Sequence, residues 1–177
     1  MENMLEKQVY EERKEYGGFW IRFAAYLIDG IIVGIPLGII IALIYMLFIL
    51  PTGIIDLINT DPAYIDQVIT DEQIWMFMGS YLGATFVSLL IGFAASIAYF
   101  AGLHASKWQG TVGKKLLGLK VTDLNGQRIT FWRALGRYLA MSFLSGILLV
   151  GYIIAGFTER KQSLHDLIAS TIVIKNS

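Results

Sequence analysis

Apolar residues run unbroken through two long parts of the chain. Gly30 to Leu50 gives 21 residues without a charge, and Ile74 to Leu103 gives 30. A helix needs about 20 mostly apolar residues to cross a bilayer core, so each stretch predicts a spanning helix. Trp20 and Trp75 stand near the start of each as interface anchors. Tyr138 to Phe157 gives a third uncharged stretch of 20 residues, interrupted by Gly146, Gly151 and Gly156. It either crosses once or re-enters as broken half-helices, and re-entrance is the preferred reading, since irregular backbone is tolerated where protein or water covers it.

Elsewhere the pattern is strand-like. Leu119-Lys-Val-Thr-Asp123 and Arg128-Ile-Thr-Phe131 flank Leu124-Asn-Gly-Gln127. Asn-Gly is a hairpin signal because both residues tolerate positive φ. Thr171-Ile-Val-Ile-Lys175 is a further strand candidate, rich in β-branched residues. The expected fold is an all-α membrane protein. It has two long transmembrane helices, a third short or re-entrant helical segment, a small cytoplasmic β-hairpin and a C-terminal strand.

Charge gives this picture a direction. The 177 residues carry 14 basic and 14 acidic groups, and only 16% are charged, against about 25% in an ordinary soluble domain. Residues 51–73 hold five acids and no Lys or Arg, whereas 104–137 hold seven basic groups and one acid. Lys and Arg mark the cytoplasmic side. The expected organisation is therefore a cytoplasmic N-terminal segment (1–22) and a membrane domain (23–177). That domain contains an acidic outer loop (51–73), a basic cytoplasmic segment (104–137) and an amphipathic tail (158–177). The outer acids lack the spacing of a calcium loop, and solvation is their expected role. Lys107, Lys114 and Lys115 are expected to meet lipid headgroups at the anionic inner leaflet. The run Gln109-Gly-Thr-Val-Gly113 before Lys114 is not a phosphate loop: Trp108 stands where glycine is needed, and Lys115 where Ser or Thr is needed.

Asp29 is the sharpest feature, because an ionisable residue within a span is a functional-site candidate. Arg22 lies seven residues earlier, near the same helix face and roughly 10 Å away along the axis. Tyr26 lies between them and could bridge by its hydroxyl. Pro36 removes a helix hydrogen bond and frees the Ile32 carbonyl, giving an ion ligand or a kink. Gly30, Gly34 and Gly38, then Gly79 and Gly83, then Ser88, Gly92 and Ser96 form small-residue rows that read as packing faces, within one subunit or between subunits. Near the end, Ser163 and Asp166 have the spacing of a capping box. Asp166 could also meet Arg22 or Asp29, and His165 could titrate near neutral pH. No enzyme signature is present. There is no cysteine, no metal motif among the two histidines, no cofactor motif and no nucleic-acid patch.

Together these residues resemble the RDD family of membrane proteins, named for one Arg and two Asp residues. Two of them correspond to Arg22 and Asp29 in Gly18-Phe-Trp-Ile-Arg-Phe-Ala-Ala-Tyr-Leu-Ile-Asp29. The third corresponds to Asp166 in Arg160-Lys-Gln-Ser-Leu-His-Asp-Leu-Ile-Ala-Ser-Thr-Ile-Val173. Gln109 through Asp123 resembles the family's middle motif, with Gly110 departing from its usual Gln-Thr. With the apolar runs and the Lys and Arg distribution, which put the N-terminus in the cytoplasm, the expectation is a multi-pass protein of the bacterial plasma membrane. The resemblance supports two functions. One is a small cation/proton exchanger, oligomeric, with Asp29 binding a monovalent cation or a proton. The other is a non-transporting accessory or regulatory protein that binds another membrane protein such as a protease.

Overall fold

The computed structural model describes residues 15–55, 61, 64, 69–145 and 154–175. Most of the acidic loop and residues 146–153 of the third apolar stretch lie outside them, so the expectations for those parts do too. The chain divides into two compact units, one of residues 1–31 with 96–177, the other of Ile32–Ala95.

Two long helices dominate. Helix α1 (Phe19–Ile49) continues through Pro36 without a break. It ends in a 3₁₀ turn, Leu50–Thr52, closed by Gly53 at φ 68°. Helix α2 (Asp71–Ser96) opens with a capping pair. The Gln73 amide donates to Thr70 Oγ1, and the Thr70 amide to Gln73 Oε1, both at 3.2 Å. Asp71 and Glu72 in the first turn add favourable charge at the positive end of the helix. The helix runs on as a π-helical stretch, Ile97–Gly102, and a last turn, Leu103–Ala105.

Within the unit of Ile32–Ala95, Tyr45 donates to Thr85 Oγ1 (2.9 Å), while that hydroxyl donates to the Tyr81 carbonyl (2.8 Å). A Cβ on Gly83 would lie 3.0 Å from the Phe48 ring, so this glycine serves helix packing inside the chain. Among the described residues nothing lies within 4 Å of such a Cβ on Gly30, Gly34, Gly38, Gly79 or Gly92. Packing within the subunit therefore accounts for Gly83, and these five glycines stand on open faces. Both helices are long and apolar enough to span a bilayer. They also turn apolar side chains outward: Leu47 is 71% exposed and Leu89 67%. Such a surface suits hydrocarbon rather than water.

The other unit has a small mixed core. Strand β1 (Leu119–Asp123) pairs antiparallel with β2 (Thr171–Lys175), from Leu119 opposite Lys175 to Asp123 opposite Thr171. Tyr16 bridges to Ile174 on the far edge of β2, and the Gly17 amide donates to the Val173 carbonyl (2.9 Å). This corrects the expected hairpin. A turn does form there, but only Gly126 of the Asn-Gly pair takes positive φ (82°); the Gly126 amide donates to the Asp123 carbonyl, and Asp123 Oδ1 accepts from the Asn125 and Gln127 amides. The returning residues 128–131 do not pair as a strand. Ile129 turns into the core. Two short helices, α3 (Val112–Leu116) and α5 (Leu164–Ile168), precede the two strands. Between them, Thr130 caps helix α4 (Phe131–Ala140) by accepting from the Arg133 amide. Beyond α4 lies a π-helical turn, Met141–Ser145. Leu119, Val121, Ile129, Ala134 and Val173 cluster with Ala25 and Ala101. Each large member contributes about 1.5–3 kcal/mol by burial.

Candidate functional site

Two buried carboxylates organise this unit. Asp166, at the third position of α5, is fully buried. Its Oδ2 accepts from the Arg22 guanidinium, the Ser163 amide (3.2 Å) and the Ser163 hydroxyl (2.7 Å). Its Oδ1 accepts from Arg137 Nε (2.8 Å), Arg137 Nη2 (2.6 Å) and Thr171 Oγ1 (3.3 Å). The capping-box reading and the Arg22-partner reading of Asp166 both hold, because one carboxylate does both. Burial alone would raise its pKa. Arg137 and Arg22 outweigh burial and hold it well below the usual carboxylate range.

Arg22 extends this cluster along the chain. Its Nε donates to the Gly17 carbonyl (2.8 Å) and its Nη2 to the Lys161 carbonyl (2.6 Å). A single guanidinium thus ties the approach to α1, the loop before α5, and α5 itself. The planar fork of arginine allows this, where a lysine would offer a point charge.

Asp29 forms a separate site. Its Oδ1 accepts from Tyr99 Oη and the Gly113 amide, each at 2.7 Å, and its Oδ2 from Thr111 Oγ1 at 2.5 Å. Arg22 therefore turns to Asp166, while three neutral donors hold Asp29. Tyr26 is 49% exposed and lines a cavity of about 30 Å³ together with Arg22, Asp29, Lys114 and Arg137. The loop that only resembles a phosphate loop does cradle an anion, but the anion is the chain's own carboxylate. Gly113 is forced by this approach, because a Cβ there would collide with the Ala25 carbonyl oxygen.

Lys114 departs from its expected headgroup role. Its ammonium donates to His104 Nε2 (2.9 Å) inside the cluster. Burial, then the charge of Arg137, lowers its pKa to about 7. His104 Nδ1 lies 2.5 Å from the Phe100 carbonyl, which can only accept, so Nδ1 carries the ring proton and Nε2 is the acceptor. Lys107 and Lys115 remain exposed, and Lys115 stacks over the Trp108 ring at 3.9 Å. Pro36 belongs to the other unit and joins neither carboxylate site.

His165 is buried beside Ser163, 2.9 Å from its hydroxyl. Burial, then Arg137, pushes its pKa down to about 3, which corrects the expectation of titration near neutral pH. Its imidazole carbon resonance should stay unchanged from pH 8 to about pH 5 in an NMR titration, while an ordinary histidine moves through about 6.5. Because the unfolded chain binds that proton first, stability should fall on acidification from about 6.5 toward about 3.

Reading the sequence missed Arg137, His104, Tyr99, Thr111 and Gly113. Arg137 carries a usable signal, since it falls with Ala134 and Ala140 on the narrow buried face of α4. An arginine there needs a buried anion. Among the described residues no group of His, Cys, Asp or Glu side chains could hold a metal ion.

Comparison with known proteins places this arrangement. The chain is similar to the uncharacterized protein YxaI of Bacillus subtilis (strain 168), at 41% identity, covering 89% of this chain and 95% of that one. It is similar to the uncharacterized membrane protein YteJ of the same organism at 28% identity, covering 90% and 80%. The uncharacterized protein YckC, also from that strain, is 29% identical over 88% and 82%. No solved structure matches the chain. Residues 16–170 match the RDD family model, a span that includes Arg22, Asp29, Arg137 and Asp166, and the chain belongs to the RDD family.

Proposed function

We propose that this RDD family membrane protein is a non-transporting accessory protein that binds another integral membrane protein, with its Arg and two Asp residues acting as a clamp. The occupation of Asp29 carries this reading. Both oxygens are engaged by three neutral donors, and the residue is 1% exposed. A carboxylate that exchanges cations must release its ligands on each cycle, and breaking charged hydrogen bonds costs about 1.5–3 kcal/mol apiece. The open small-residue row of Gly30, Gly34 and Gly38 suits the close approach of a partner helix.

The sheet supports a particular topology. Tyr16, β1 and β2 belong together, so they lie on one side of a bilayer. In this reading α1 and α2 carry the chain out and back. The basic excess of 104–137 makes that side cytoplasmic. Lys107 and Lys115, with Trp108, then face the headgroups.

The test is proton flux in proteoliposomes under Na⁺, K⁺ or Li⁺ gradients, beside in-membrane crosslinking. The wild type should move no more protons than a folded, inactive control. Asp29→Asn should lower stability by about 1.5–3 kcal/mol through its weakened hydrogen bonds, and reduce partner crosslinking. Cation-dependent proton flux in the wild type, lost in a folded Asp29→Asn protein, would overturn the accessory reading in favour of exchange.

A further inference from the structure

The two carboxylates do not balance the cations around the cavity. Arg22, Lys114 and Arg137 line it, and Asp166 pairs with both arginines. Asp29 spends both oxygens on Tyr99, Thr111 and Gly113. Among the described residues Lys114 is therefore left with His104 Nε2, a neutral acceptor with one lone pair. Arg137 Nη1 approaches that same nitrogen at 3.4 Å. Two cationic donors thus compete for one lone pair, and an ammonium has three N–H groups to satisfy. Lys114 is half-buried and Arg137 buried, and cationic donors short of acceptors are costly where water is scarce. The cavity they face has a volume of about 30 Å³. It has room for roughly two water-sized groups, at about 10–15 Å³ each. Water supplies an acceptor but no charge.

We propose that this cavity binds one small monovalent anion, a halide such as chloride, held by Lys114 and Arg137. The inference is independent of the accessory reading. The anion supplies the missing acceptor and cancels the surplus positive charge. The charged and titratable groups around Lys114 are Arg22, Tyr26 and Asp29 on α1, His104 on the last turn of α2, Arg137 on α4, and His165 and Asp166 on α5. Since Lys114 titrates at about 7, the anion binds the protonated form, and affinity should fall up to about tenfold per pH unit above that value.

The experiment is chloride-35 NMR line broadening on the purified full chain in detergent, with bromide as competitor. The wild type should show saturable, bromide-displaceable broadening at about pH 6 and affinity at least about tenfold weaker at about pH 8.5. Lys114→Gln, with its fold checked by near-ultraviolet circular dichroism, should lose it. Lys114→Arg should keep binding but lose the pH dependence, because arginine stays charged; this variant decides the matter if the glutamine protein does not fold. Broadening no greater than a detergent blank would overturn the proposal, as would retention in folded Lys114→Gln. Displacement by short-chain phosphatidylglycerol but not by bromide would also overturn it and assign the site to a lipid phosphate.

Discussion

Replacing Asp166 with alanine is expected to destabilise the protein by about 3–5 kcal/mol, the cost of leaving buried charge uncompensated. Arg22 and Arg137 both turn to this carboxylate, and they are 8% and 2% exposed. The change also removes the acceptor for the Ser163 amide at the start of α5. Asp166→Asn keeps the shape but not the charge, and should behave nearly as badly. The informative companion is the triple variant that combines Asp166→Ala with Arg22→Met and Arg137→Met. Replacing a whole buried ionic cluster by apolar residues is often close to neutral, so much of the loss should return. Thermal unfolding in detergent measures all three. A cost under about 1 kcal/mol for Asp166→Ala would show that water reaches the cluster and screens it. The carboxylate's contribution has a pH signature too. It is present above the ordinary aspartate value of about 4 and disappears as pH falls through the lower folded value.

Gly113→Ala should be comparably damaging for a steric reason. The added methyl would run into the Ala25 carbonyl oxygen and sit 2.9 Å from Asp29 Oδ1. The first is backbone and the second is a carboxylate oxygen held by Tyr99, so α3 must draw away from α1. Overpacking of this kind costs about 1–3 kcal/mol. Losing the Gly113 amide from a charged acceptor adds about 1.5–3 kcal/mol. Gly30→Ala is the control, because nothing lies within 4 Å of the point its methyl would occupy. Its stability should equal or exceed that of the wild type by up to about 1 kcal/mol, the helix preference of alanine over glycine. Equal unfolding temperatures for the two variants would mean that α3 yields at no cost.

The long-range parts of this arrangement explain what is legible in the sequence. The two long helices show as unbroken apolar runs, and the cap at Ser163 and Asp166 shows as local spacing. The three family residues can be located because their surroundings are distinctive. Their pairing cannot, since Arg22 and Asp166 are 144 residues apart and Asp29 and Gly113 are 84 apart. Helical spacing alone offers Arg22 to Asp29, and the fold offers Arg22 a better acceptor. The hairpin expectation fails in a related way. The Asn125-Gly126 turn is a local signal and forms, but the partner of β1 comes from residues 171–175, where β-branched side chains bury better than the short run before α4.

The sheet also sets an order of events during synthesis. Strand β2 is made after both apolar helices, so α1 and α2 can enter the membrane while β1 still lacks its partner. Until Lys175 has left the ribosome, neither edge of β2 exists to receive β1 or Tyr16. Arg22 is made 144 residues before the carboxylate that pairs with it, and Arg137 29 residues before, so neither pairing can form until α5 is made. Closure of the sheet therefore follows the synthesis of both apolar helices, and a chain released before β2 would expose its arginines and its unpaired strand to the cell's quality-control proteases.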